Sequence, residues 1–303
     1  MGAAPHVPVG RLLRPDALEG DVTARPPGTL FVVSTPIGNM GDFSFRAVEV
    51  LNAVSLVLAE DTRHSRALLE RYEIRSPLSA YHEHNEAAAT PKLVERLARG
   101  DDLALITDAG TPLVSDPGHR LVRAALDAGL RVVPVPGASA MLAALVASGL
   151  PTDRFTFYGF LPRKGRERAE ALDAIALSRV TAVLYEGPGR VAATLKDLSP
   201  RAAGREAVVA RELTKQFEEI RRGTLESLAA YYEETPPRGE VVILVGGASP
   251  VTVDAAELAR EARRLRQAGS SVKDATAALM ALGAARNVAY RLAQELEIEP
   301  RKP

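Results

Sequence analysis

The chain has 303 residues, of which 46% are hydrophobic and 25% charged, with 38 Lys and Arg against 38 Asp and Glu. That length supports two domains with proper cores, and zero net charge leaves any nucleic-acid or membrane partner to local patches. Cysteine is absent, which excludes disulfides, thiolate metal sites and cysteine nucleophiles and fits a reducing cytosol; no apolar run reaches the roughly 18 residues that span a bilayer.

Residues 1–27 hold five prolines and no apolar core, and read as a loose arm rather than a signal peptide. Apolar runs bounded by turn formers then predict strands at 29–34, 54–60, 103–107 and 131–135. Helical patterns lie between them, near 42–53, 61–73, 85–99 and 118–129, and "ASAMLAALVAS" adds a fifth. This alternation predicts an α/β domain with a mainly parallel sheet over 28–150. A second set of strands, at 154–159, 180–186, 206–212 and 239–245, predicts another α/β half over 151–248. The remainder, 249–303, reads as a helical extension in which Ser271 and Asp274 form a capping box and Gly283 precedes a last helix at 285–297.

Chemistry points to the strand ends, because open α/β sheets bind ligands outside the carboxyl ends of their strands. The strand "LALIT" runs into Asp108, Gly110, Thr111, Pro112, Ser115, Asp116, Pro117 and Gly118, a stiff loop too rich in turn formers for a simple connection. "STPIGNMGD" (34–42) and "PVPGASAMLA" (134–143) end two other strands in the same manner, with Ser139 placed to cap a helix. Neither the phosphate-loop pattern nor G-x-G-x-x-G occurs, so nucleoside triphosphates and NAD lose their strongest support. In "YHEHNE", His82, Glu83, His84 and Glu86 match no metal-ligand spacing, and solvated or RNA-facing polar residues are expected there instead.

The motifs "STPIGNMGD", "AEDTRHS", "YHEHNE", "LITDAGTPLVSDPG", "PVPGASA", "YGFLPRK", "LYEGPGR" and "RELTKQFEE" follow in this order over roughly 28–245. Together they closely resemble the ribosomal RNA small subunit methyltransferase I family, within the tetrapyrrole-methylase (class III methyltransferase) superfamily. The resemblance implies two α/β halves with S-adenosylmethionine folded between them, plus a small helix-turn-helix-like tail. It implies 2′-O-methylation of a cytidine in the decoding region of 16S rRNA, by a cytoplasmic homodimer acting on the small ribosomal subunit, without a metal. Carried over by motif, Asp108, Ala109, Gly110 and Thr111 hold the cofactor mostly through backbone, with Ser139 and Ala140 on the same wall and Pro36 and Gly38 close by. Tyr185, Glu186, Leu213, Gly239 and Glu240 are the second half's share.

"AEDTRHS" carries two readings: Asp61 caps a helix and pairs with Arg63 at the surface, or Asp61 and Arg63 border the acceptor site, where a carboxylate can take a hydroxyl proton as the new bond forms. "FLPRKGRER" sets Arg163, Lys164, Arg166 and Arg168 against one acid, which is either a solvated helix start or a patch for rRNA phosphates. "TKQFEEIRRG" repeats that choice with Lys215, Arg221 and Arg222. In the tail, Arg263, Arg264, Arg266, Lys273 and Arg291 offer a docking face on RNA. Two alternatives stay open beside the rRNA enzyme: the same fold acting on a tetrapyrrole or in diphthamide synthesis, and a ribosome-assembly factor that binds RNA without catalysis. The basic stretches disfavour the former and the intact loops the latter.

Overall fold

A computed structural model describes residues 26–248, 255–284 and 286–294. The proline-rich arm lies, up to residue 25, outside the described residues, as do 285 and 295–297 of the expected last helix. The first sheet contains β1 (Thr29–Val33), β2 (Leu56–Ala59), β3 (Leu78–Ala80), β4 (Leu103–Leu105) and β5 (Arg131–Val135). Its order is β3-β2-β4-β1-β5, and every pairing is parallel. Strand β3, "LSA", is too short and too polar to stand out in the sequence.

Side-chain alternation along these strands fills two cores. Phe31, Val33, Val57, Ala59, Ala104 and Ile106 pack against α1 (Phe45–Ala53) and α2 (Thr62–Arg71). The intervening Leu30, Leu58, Leu103 and Leu105 pack against α3 (Glu86–Ala98) and α4 (His119–Asp127). A strand with both faces covered must be apolar throughout, which is why "LVLA" and "LAL" show no polar alternation.

Helix α5 (Ala140–Ser148) leads to the second sheet: β6 (Phe155–Phe160), β7 (Thr181–Glu186), β8 (Glu206–Arg211), β9 (Glu219–Thr224) and β10 (Val241–Val245). Its order, β6-β7-β10-β8-β9, is mixed, with only β6–β7 parallel. One face packs on α6 (Arg166–Leu177), α7 (Val191–Leu198) and α8 (Leu225–Glu234). On the other face Val183, Val208, Ala210, Val242 and Leu244 meet Ala144 and Leu145 of α5. Both sheets therefore belong to one compact unit, residues 26–176 and 181–246.

Strand β9 occupies the stretch read as a second basic patch, and its arginines are committed. Arg221 stacks over the Tyr231 ring at 3.6 Å and bonds Glu219. Arg222 donates to the carbonyls of Ser148 and Ala147 at the end of α5.

The second unit comprises residues 177–180 and the chain from 247, with helices α9 (Ala255–Gln267), α10 (Val272–Ala281) and α11 (Arg286–Gln294). Leu258, Ala262, Leu279 and Ala289 form its core. Ser271 accepts from the Asp274 amide as expected, but the Asp274 carboxylate takes the Ser271 hydroxyl as its donor. An aspartate is one methylene shorter than the glutamate that usually completes a capping box.

Tyr232 on α8 is buried, and its hydroxyl has no hydrogen-bond partner. Burial, reinforced by Glu219, pushes its phenol up to about 12. An unfolded tyrosine loses its proton near 10, so the native state binds more protons between those values and loses stability as pH rises through them. Tyr232→Phe is expected to equal or exceed the parent by up to about 1 kcal/mol at pH 7. Its advantage should then grow by about 1.4 kcal/mol per pH unit between 10 and 12, measured as the difference between denaturation free energies.

Candidate active site

The carboxyl ends of β1, β4 and β5 meet the second sheet at a cavity of about 380 Å³. Gly110 sets its shape. With φ at +88° it turns the loop after β4 back onto β1, and its amide and carbonyl both pair with Thr35, at 3.1 and 2.8 Å. A side chain there would be strained, and its Cβ would sit 3.3 Å from the Ile37 methyl. Thr111 closes the same wall by donating to the Ala138 carbonyl at 3.1 Å. Ser139 precedes α5 but makes no side-chain cap bond; it lines the cavity instead.

The opposite wall comes from the second sheet. Alternation along β7 sends Val183 and Tyr185 toward the cavity side and Ala182 and Leu184 into the other core. Glu186 follows the second set. Its fully buried carboxylate pairs with Arg190 at 3.1 Å and accepts from the Thr194 hydroxyl at 2.7 Å and the Gly187 amide at 2.9 Å. Glu186 thus borders the cavity by its backbone while its side chain locks the wall from behind. Gly239 has φ at +80°, and a Cβ there would fall 1.9 Å from a Glu212 carboxylate oxygen. That carboxylate accepts from the Glu240 amide, at 3.2 Å, and from Lys215, at 3.0 Å.

Of the residues expected to hold a cofactor, Asp108, Ala109, Gly110, Thr111, Ser139, Ala140, Tyr185, Glu186, Leu213, Gly239 and Glu240 line this cavity. Pro36 and Gly38 do not: Pro36 is buried, and Gly38 leaves room for the Lys215 stem, whose Cγ would lie 2.4 Å from a Cβ. Asp61 and Arg63 also stand outside the lining. Asp61 is the N-cap of α2, its carboxylate accepting from the Arg63 amide at 2.8 Å. That bond, aided by the His64 amide and the Arg63 charge, holds the carboxyl below its ordinary range. The Arg63 side chain is 94% exposed. The capping reading describes both residues.

The lining adds residues without a signal of their own in the sequence, above all Glu60, Asp116 and Phe160. Glu60 sits one position before Asp61, and Asp116 lies in the loop already singled out, but only the fold shows that the two border one space. Burial holds the Glu60 carboxyl above the ordinary carboxylate range, and Asp108 and Asp116 add to the rise. Burial does the same to Asp116, helped by Asp108 and Glu240. Phe160 is 58% exposed, its ring 5.5 Å from that of Tyr185. Among the described residues, four of the five non-glycine positions with left-handed backbone fall in loops of this site: Leu113, Ser115, Glu212 and Thr214. Such strain persists where surrounding structure fixes it, and it clusters at functional sites.

The basic patch changes in composition. Arg168, 11% exposed, bonds the Asp197 carboxylate at 2.9 Å, the Thr194 hydroxyl at 3.1 Å and the Pro162 carbonyl at 3.2 Å. It braces the wall behind Glu186 and is not free for phosphate. Lys215 bridges Glu212 and Glu240, each at 3.0 Å, and so ties two loops of the site together. Arg166 pairs with Glu170 at 2.6 Å on the surface. Arg163 and Lys164 are exposed. Among the described residues no three His, Asp or Glu side chains gather so as to hold a metal, and no helix is long and apolar enough to cross a membrane.

Two α/β sheets flanking one cavity define the fold, and known proteins share it. The family model of tetrapyrrole (corrin/porphyrin) methylases matches residues 29–229, and the chain belongs to that family. The crystal structure of uroporphyrin-III-C-methyltransferase from Thermus thermophilus superposes with a TM-score of 0.51 at 24% identity, over 72% of this chain and 94% of that one. Within the family the chain belongs with ribosomal RNA small subunit methyltransferase I. The protein of that name from Mesorhizobium japonicum is 47% identical over 91% of this chain and 95% of its own length. The one from Pseudomonas aeruginosa is 52% identical over 73% and 79%.

Glu186 is buried with Arg190 as its only ion-pair partner among the described residues. Arg190→Ala leaves that carboxylate uncompensated and is expected to cost about 3 kcal/mol. Urea denaturation of the two proteins measures it, and a cost near zero would mean that the pair does not hold the wall.

Proposed function

We propose that this chain transfers a methyl group from S-adenosylmethionine to the ribose 2′-hydroxyl of a cytidine in the decoding region of 16S rRNA. Family membership makes it a methyltransferase of small-subunit rRNA; the ribose position and the nucleotide are the finer part of this reading.

One observation about the cavity carries the cofactor assignment. Among the described residues it has Glu60, Asp108, Asp116 and Glu240 in its lining and no Lys, Arg or His. Such a space favours a cation and repels a polyphosphate. A sulfonium with an α-ammonium suits it, and the apolar side chains of Ile37, Val114, Leu213 and Val242 suit the remainder of that molecule. The lining glycines fit too, since Gly110 and Gly239 admit close backbone approach where a side chain has no room.

Asp108 to Thr111, with Ser139 and Ala140, are the residues that would hold the cofactor on one side. Tyr185, Leu213, Gly239, Glu240 and the backbone of Glu186 would hold it on the other. When bound, S-adenosylmethionine supplies an activated methyl group. The protein then has to orient a hydroxyl, exclude water and take up a proton.

The reading extends to a cytoplasmic homodimer working on the assembled small subunit. Helix α5 supports the dimer: Leu142 and Val146 are 48% and 76% exposed, an apolar face that a second copy would cover. Arg163 and Lys164 ahead of α6, with Arg166 at its first position, support the rRNA interface as exposed cations. In the helical tail Arg264 pairs with Glu261 and Arg266 donates to the Ser270 carbonyl; of the five basic residues expected there, the reading gives ribosome docking to Arg263, Lys273 and Arg291.

The direct test incubates the protein with labelled cofactor and undermethylated small subunits, then maps ribose methylation. One new 2′-O-methylcytidine in the decoding region is expected, and no label in the rRNA would overturn the reading. A second measurement isolates the patch. Changing Arg163, Lys164 and Arg166 to Ser, with Arg168 left in place, should weaken small-subunit binding. The slope of log affinity against log salt should flatten by up to roughly 2 to 3, at roughly 0.7 to 0.9 for each phosphate that the variant no longer neutralises. Parallel lines with equal intercepts for variant and parent would remove the patch from the interface.

A further inference from the structure

A second cavity, about 700 Å³ and open to solvent, adjoins the first. Three residues line both: Glu60, Ser115 and Asp116. The arrangement follows from the strand order β3-β2-β4-β1-β5. The first cavity draws on the loops after β4, β1 and β5, through residues such as Gly110, Ile37 and Ser139. The second draws on the loops after β2, β3 and β4 and on α4, through Glu60, Glu83, Asp116 and Arg120. The two spaces lie side by side along one sheet edge, and Glu60 and Asp116 supply the acidic groups of their common wall.

We propose that Glu60 and Asp116 form the proton-accepting pair of the methyl transfer, with the acceptor hydroxyl reaching them from the second cavity. This rests on the methyltransferase reading above. As the hydroxyl oxygen bonds to the methyl carbon, the carbon–sulfur bond breaks and its electron pair stays on sulfur, which becomes a neutral thioether. The hydroxyl proton passes to a carboxylate of the pair and from there to water, so charge and atoms balance without a further reactant.

Position and environment select this pair over its neighbours. The Asp61 carboxylate is turned back onto its own helix by the Arg63 amide. That of Asp108 accepts from the Asp61 amide at 3.2 Å, which ties the β2 and β4 loops together. Glu240 is held by Lys215. Glu60 and Asp116 have no ion pair among the described residues. Asp108 acts on both members as a like charge, Asp116 on Glu60 and Glu240 on Asp116, while His82 acts on Glu60 in the opposite sense. Crowded, partly buried carboxylates hold a proton more firmly than exposed ones, which improves them as acceptors. Across the second cavity Arg120 is paired with Glu86 and Arg123 with Asp127, so both arginines are engaged by carboxylates other than the pair.

The test uses the full chain with Glu60→Gln and Asp116→Asn made singly, and Asp116→Glu as the conservative control. Single-turnover transfer to undermethylated small subunits is read beside two quantities independent of turnover: calorimetric cofactor affinity, and carboxyl-carbon NMR titration of the protein alone. At least one amide variant is expected to lose about 100-fold or more in transfer rate at saturating cofactor, a loss that exceeds any fall in cofactor affinity because each variant keeps three of the four lining carboxylates, and Asp116→Glu should recover part of any Asp116 loss. The titration should show two carboxyls above the ordinary range, each missing from its own variant. Transfer within threefold of the parent in both amide variants would overturn the pair, and so would a rate loss matched by an equal loss of cofactor affinity. Absence of transfer by the parent protein overturns the functional reading itself, and this inference with it.

Discussion

Helix α5 is the element on which the site depends. It is carried by the first half of the chain, yet Ala144 and Leu145 pack beneath the second sheet, against Val183, Val208, Val242 and Leu244. Ile37 and Leu213 close the same apolar cluster, one from each half, and both also line the cavity. The binding space is thus the rim of a hydrophobic seam. Moving either sheet would uncover that seam, so burial of α5 fixes the distance between walls that share no strand.

On this frame the loops are held by polar ties between segments far apart in sequence. Thr35 joins the β1 loop to Gly110. The Asn39 amide donates to the Thr214 hydroxyl at 3.0 Å, joining the β1 loop to the second half. Lys215 lies against Gly38 and binds Glu212 and Glu240. These ties keep Leu113, Ser115, Glu212 and Thr214 in backbone conformations that isolated loops would abandon. A rigid cradle of this kind can present main-chain groups to a ligand with little loss of conformational entropy on binding.

Charge is sorted along the same lines. The protein is neutral overall, but among the described residues the cavity lining keeps carboxylates and holds no Lys, Arg or His. Many arginines near the site work inward: Arg168 and Arg190 brace Glu186, the former through Thr194, and Arg222 holds the end of α5. Arginine suits this task because its planar fork satisfies several acceptors at once. Arg163 and Lys164, by contrast, stay exposed on the outer surface.

Local features were legible in the chain before it was folded. Parallel strands buried on both faces appear as unbroken apolar runs, so β1, β2 and β4 stood out, as did the turn-forming loops that follow them. Positive-φ glycines such as Gly110 announce themselves by residue type. Strands β3 and β9 escaped because "LSA" and "EIRRGT" draw their stability from neighbours rather than from any pattern of their own. Folding alone assigned like-looking residues to different tasks. Asp61 and Glu60 are adjacent in the chain, yet one is spent on a helix cap while the other faces two cavities. Arg163 and Arg168 share one basic run, but a single side chain meets Asp197, 29 positions away. Sequence records residue type and spacing, whereas the commitment of a charge depends on partners that only folding brings within hydrogen-bond reach.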